Sequence, residues 1–203
     1  MVGSVCSFVF HLIYFSSSEQ AISWLIKTAS ARKITPEEHR VYVQERPWAT
    51  APVVIAHGKT SESGTKASGL IRWLDNPERD ICIEFGSQDN MYRVQVKAVY
   101  YAILSAMMHR VTHAVIYSTN EIVVKVGNGV FTPKKETKLF EGIRRRTSLT
   151  EEDSGTRVKL HTLDSTALNE LNLTLEKATS RENVPVCSEE LFRERHSSEI
   201  IRI

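Results

Sequence analysis

Apolar residues along this chain come in short runs of changing period, separated by polar or Pro/Gly punctuation. The first run, Val5–Phe15, carries Phe8, Phe10, Ile13 and Phe15 and reads as a strand. It is too short to cross a bilayer as a helix. No Lys or Arg precedes Lys27, so the basic start of a signal peptide is missing. A serine cap, then Glu19, then Ala21, Trp24 and Leu25 on one face predict a helix within Ser16–Ile26. Thr28–Arg40 is polar, carries Pro36 and reads as linker. Pro52–Ala56, with Val53, Val54 and Ile55, is a short buried strand, and His57–Ser68 is a loop rich in Gly, Ser, Thr and Lys. Gly69–Leu74 and Asp80–Phe85 are strands divided by the turn signal Asp75-Asn76-Pro77-Glu78. Arg93–Arg110 has helical period, with Val99, Ala102, Ile103, Ala106 and Met107 on one face. His113–Tyr117 is a strand, Asn120–Val126 a brief helix stopped by Gly127-Asn128-Gly129, and Lys138–Leu149 a further helix. Arg157–Leu163 is the last strand and Asp164–Ala178 the last helix.

Three strands with short connections make an antiparallel meander, and the helix–strand alternation after it adds parallel strands. The expected architecture is a mixed α/β sheet with helices on its faces. Four segments result: a strand–helix segment at 1–28, a linker at 29–49, the main domain at 50–178 and a polar tail with Pro185 at 179–203.

Composition narrows the classes. With 203 residues, 41% hydrophobic and 25% charged, the chain can bury its own core and is neither disordered nor fibrous. Its 26 basic and 24 acidic residues leave a formal charge of +2, too little for a global field that draws nucleic acid. Cys6, Cys82 and Cys187 lie far apart with no CxxC pair, which argues against a disulfide framework or cysteine-bound zinc. A reducing intracellular compartment is expected, nucleus or cytoplasm alike.

Several strings carry a resemblance. Val53-Val54-Ile55-Ala56-His57-Gly58-Lys59-Thr60-Ser61-Glu62-Ser63-Gly64 is similar to the first strand and glycine-containing loop of type 1 ribonuclease H. The helix containing Val94–Met107 resembles that family's first helix, and Ala114–Glu121 its fourth strand and following turn. Roughly residues 50–178 fall within the resemblance. It implies a ribonuclease H-like mixed five-stranded sheet, three antiparallel strands then parallel ones, with helices on both faces.

The family cleaves the RNA strand of RNA–DNA hybrids with two magnesium ions held by four carboxylates. Magnesium is a hard cation that needs oxygen ligands, and two ions about 4 Å apart need anions to offset their repulsion. Carried onto this chain, the four positions fall on His57, Val99, Thr119 and Leu173, none of them acidic. No Asp or Glu occurs between Met91 and Arg110, so shifting the helix cannot restore its ligand. His161, in the strand before the last helix, is a poor substitute for the family's loop histidine. The expectation is therefore a catalytically degenerate protein with no cofactor.

Two features could still bind nucleic acid. Tyr14–Leu25 resembles the end of the small hybrid-binding module found in type 1 enzymes, without its earlier half. Lys134, Lys135, Lys138, Arg144, Arg145 and Arg146 form a basic cluster against Glu136 and Glu141, at the place of the family's basic handle. A solvated helix face explains the same charges. Arg145-Arg146-Thr147-Ser148 also fits a basic-directed kinase site, where phosphate would cancel part of the patch. The expected partners are RNA–DNA hybrid or another nucleic acid, bound weakly, or another protein, with no membrane and a monomeric chain. The alternatives are an active magnesium-dependent hybrid ribonuclease with a rearranged metal site, built from Glu62, Glu84, Asp89, Glu121 or Asp164, and a decayed duplicate or retroelement fragment.

Overall fold

A computed structural model describes residues 36–87, 89–150 and 153–195. The strand–helix segment expected at 1–28, including Tyr14–Leu25, lies outside the described residues. The chain divides into two units, Met1–Gln44 and Glu45–Ile203. Helix α1, Pro36–Ala49, runs across that boundary, so the segment read as linker is helical from Pro36 onward. Proline at a first helical position costs nothing, because the amide it lacks would have no partner there.

The second unit is built on one six-stranded sheet in the order β5-β4-β1-β2-β3-β6. Its strands are β1 (Val53–Thr60), β2 (Ala67–Trp73), β3 (Ile81–Phe85), β4 (His113–Ser118), β5 (Arg157–Thr162) and β6 (Val186–Ser188). β1, β2 and β3 pair antiparallel, whereas β4 runs parallel to β1, β5 to β4 and β6 to β3. The expected mixed sheet is present, with a sixth strand added at its edge. The loop read across His57–Ser68 is shorter than that, because β1 continues to Thr60 and β2 begins at Ala67. Pairing with a neighbour holds these Gly-, Ser- and Lys-containing stretches extended despite their low strand preference.

Side chains alternate across β1. Val54 and Ala56 join the large core formed with helix α2 (Met91–Met108), α3 (Glu121–Gly127), α4 (Thr137–Thr147) and α7 (Glu189–Arg195). Ile55 points to the opposite face and packs with Leu163, Ala167 and Ala178. These come from the end of β5 and from α5 (Ser165–Glu170) and α6 (Leu175–Thr179). Helices therefore cover both faces. α2 starts where Asn90 accepts the Arg93 amide, and nearly every residue from Val94 to Ala106 is buried. The single helix expected over Asp164–Ala178 is two. Asn172 turns to φ +53°, the Leu173 amide returns to the Leu168 carbonyl, and Thr174 caps a new start.

The segment read as a polar tail contains β6 and α7. Phe192 is buried against Tyr101, which alone is worth roughly 1.5–3 kcal/mol. Lys97 of α2 sits between Asp89, at 2.5 Å, and Glu189 of α7, at 2.7 Å. Tyr101 donates to Glu189, and Arg193 donates to both Tyr101 and Glu189. Among the described residues, no helix is long and apolar enough to cross a membrane.

Candidate functional site

The site lies where β4 ends at Ser118 while β1 runs on to Thr60. β4 pairs with β1 only from Val53 to Ala56. Beyond that, both backbone polar groups of Gly58 are taken by one side chain of α2. The Gly58 amide donates to Gln95 Oε1 at 3.2 Å, and Gln95 Nε2 donates to the Gly58 carbonyl at 2.8 Å. The Gln95 amide thus stands where a neighbouring strand would have continued. Glycine is required here, because a Cβ would lie 2.9 Å from the backbone of Val94 and Gln95.

One residue earlier, His57 points to the other face of the sheet, the side of Ile55. Its Nδ1 shares a 3.0 Å hydrogen bond with Thr119 Oγ1, just past the end of β4. Burial lowers the His57 pKa from 6.5 to about 4, and the positive charges of Arg181 and Lys59 push it the same way. The ring is neutral at physiological pH. Arg181 follows α6, and its Nε and Nη2 are buried without a hydrogen-bond partner.

Of the four positions derived from the resemblance, His57 and Thr119 are in contact. Leu173 packs into the small cluster around Ile55, on the same face. Val99 is wholly buried in the large core, on the opposite face. The α2 residue that reaches the end of β1 is Gln95, one helical turn before Val99. Gln95 had little readable signal, because the polar Arg93 and Lys97 flank it in the same helix. Arg181 had none, because it follows a polar stretch whose position depends on α5 and α6. His161 is exposed on β5 with its ring 5.5 Å from that of Tyr117.

The basic cluster is divided. Lys134, Lys135 and Lys138 are exposed near the start of α4, and Arg145 is exposed in its last turn. Arg144 is not free for a ligand, since it donates to the carbonyls of Val126, at 2.9 Å, and Phe131. Arg146 is buried. Three consecutive helical residues point about 100° apart, so the triple arginine cannot form one face. Among the described residues, no three His, Cys, Asp or Glu side chains are grouped to hold a metal ion.

No family model matches the chain, and no curated protein matches it. Among solved structures with a similar fold are three ribonucleases H. The N-terminal ribonuclease H domain of rv2228c from Mycobacterium tuberculosis, solved as a fusion with maltose binding protein, is 13% identical. That match covers 59% of this chain and 92% of the other, with a TM-score of 0.47. LC11-RNase H1, solved in complex with an RNA/DNA hybrid, is 15% identical over 64% of this chain and 99% of its own, with a TM-score of 0.47. RNase H1 from the halophilic archaeon Halobacterium salinarum NRC-1 is 12% identical over 64% and 99%, with a TM-score of 0.43.

Proposed function

We propose that this chain is a ribonuclease H-like domain that binds nucleic acid through its phosphates and does not hydrolyse it. The observation that carries this reading is the end of β1. A neutral His57 is bonded to Thr119 there, and the charges acting on the ring are the cations Arg181 and Lys59. A pair of magnesium ions needs several anionic oxygens, and this donor set does not fit them. Of the five carboxylates considered for a rearranged site, three are already committed. Asp89 pairs with Lys97 and Arg93, Glu121 pairs with Lys125, and Asp164 caps α5.

A phosphate fits the same place better than a cation does. Arg181 has buried donors in need of acceptors, and a guanidinium binds phosphate oxygens in pairs. The exposed Lys134, Lys135 and Lys138 add a second, sequence-independent contact. RNA–DNA hybrid is the ligand class that the resemblance implies.

The test is fluorescence anisotropy of a labelled RNA–DNA hybrid over a salt series, with a cleavage assay in magnesium and manganese alongside. Binding should weaken steeply with salt, and the hybrid should stay intact. Arg181→Gln should lower affinity about tenfold, as expected for a lost charge-assisted pair. Changing Lys134, Lys135 and Lys138 together to Gln should reduce the salt slope by at most about 3. Metal-dependent cleavage by the parent protein, or no binding at low salt, would overturn the proposal.

A further inference from the structure

A cavity opens at the other end of the sheet, where β4 and β5 begin. Its volume is about 530 Å³. Arg110, Arg145 and Arg146 line it together with the apolar Met107, Val111 and Leu149. Among the described residues, its lining includes no carboxylate.

Arg146 is the unusual member. The residue is only 8% exposed, and its Nε is buried with no hydrogen-bond partner. Among the described residues it forms no ion pair. Nor does it bond to the two helix ends nearby, several of whose carbonyls are occupied. Ser148 and Thr147 donate to the Arg144 carbonyl, and Ser148 Oγ donates to that of Arg145. At the end of α2, the Arg110 and Val111 amides take the Met107 and Ala106 carbonyls. The Val111 carbonyl accepts from Thr156 Oγ1. The guanidinium lies against Gly155, where a Cβ would come within 2.6 Å of Nη1 and where φ is +120°. The glycine leaves room for the guanidinium and keeps the adjoining backbone clear of side chain. A buried cation without an acceptor is costly, and the natural acceptor is an anion entering from the cavity.

We propose that this cavity binds a small phosphate ester, with Arg146 donating to the phosphoryl oxygens. Arg110 adds positive charge around that group. Met107, Val111 and Leu149 form an apolar wall for the organic part. The cavity is far larger than an inorganic phosphate and is of the size that takes a small organic ligand. The site is remote from His57 and independent of the function proposed for that end of the sheet.

The test is a titration of the full-length protein with inorganic phosphate, a nucleoside 5′-monophosphate and the unphosphorylated nucleoside, followed by backbone amide NMR. Phosphate and the monophosphate should shift the amides of Ser154, Gly155 and Thr156, the monophosphate at lower concentration, and the nucleoside should shift none. Arg146→Met should weaken binding at least about tenfold, as for a lost bidentate charge contact. It should melt no lower than the parent, since an uncompensated buried charge has gone. Arg110→Asn, at an exposed position whose positive φ asparagine tolerates, should weaken binding several-fold. If Arg146→Met does not fold, that second variant decides. No localised shift up to roughly 10 mM phosphate would overturn the proposal. So would unchanged binding in Arg110→Asn, or equal binding of the nucleoside.

Discussion

Acidification should destabilise this protein through His57, and the size of the effect follows from the site. The unfolded chain takes up a proton near the ordinary histidine value of 6.5, whereas the folded ring resists protonation until about 4. A lowered histidine pKa means that the unfolded state binds more protons across that interval. The full stability is therefore present above about pH 6.5, is lost progressively as the pH falls towards 4, and changes no further through this group below that. The whole shift sets a ceiling of about 3 kcal/mol. Because the ring is only half-buried, solvent screening brings the expected loss to about 1–2 kcal/mol. Denaturant unfolding of the parent and of His57→Gln, at about pH 7.5 and about pH 4.5, isolates this contribution. Glutamine can keep a hydrogen bond to Thr119 but cannot titrate. His161 also has its pKa lowered, by burial first and Lys159 second, and it contributes equally to both proteins, so it cancels in the comparison. The parent should lose about 1–2 kcal/mol more than the variant between the two pH values. Parallel losses would refute the reasoning, as would an NMR titration placing the His57 midpoint near 6.5.

Two further outcomes concern the C-terminal segment. Lys97→Met removes the cation shared by Asp89 and Glu189 but leaves Arg93 and Arg193 beside them, and unfolding free energy should fall by about 1–3 kcal/mol. Adding Glu189→Gln should restore part of that loss, measured by the same denaturant unfolding. Phe192→Ala should cost roughly 3–5 kcal/mol and make α7 more susceptible to limited proteolysis, whereas Leu191→Ala on the exposed side should have little effect on either.

Much of the sheet was legible because its signals are local. Val53-Val54-Ile55 and the apolar run ending at Tyr117 have strand composition, and Arg93–Arg110 has helical period, so their order alone predicts the meander and the parallel strands beside it. The two phases of α5 and α6 were hidden, since the break at Asn172 depends on a left-handed backbone that its flanking apolar residues do not announce. β6 is three residues long with Val186 exposed, too short to read from pattern. It exists because β3 offers an unpaired edge and because α7 buries Phe192 against Tyr101.

The candidate site divides the same way. Residue identity alone showed that His57, Val99, Thr119 and Leu173 supply no carboxylate. Only the fold decided which of them meet. The alternation of β1 sends His57 to one face, while Val99 is buried on the other. Tertiary structure also brought Gln95 to Gly58 across 37 positions, and Arg181 to His57 from beyond α6. On α4 it turned Arg144 onto the carbonyls of Val126 and Phe131 and away from its two arginine neighbours, because a helix turns successive side chains about 100° apart. Local sequence sets element type through backbone and side-chain preferences that act over a few residues. Long-range neighbours are set by burial of the apolar faces, and with them come the charges and hydrogen bonds that give each site its chemistry.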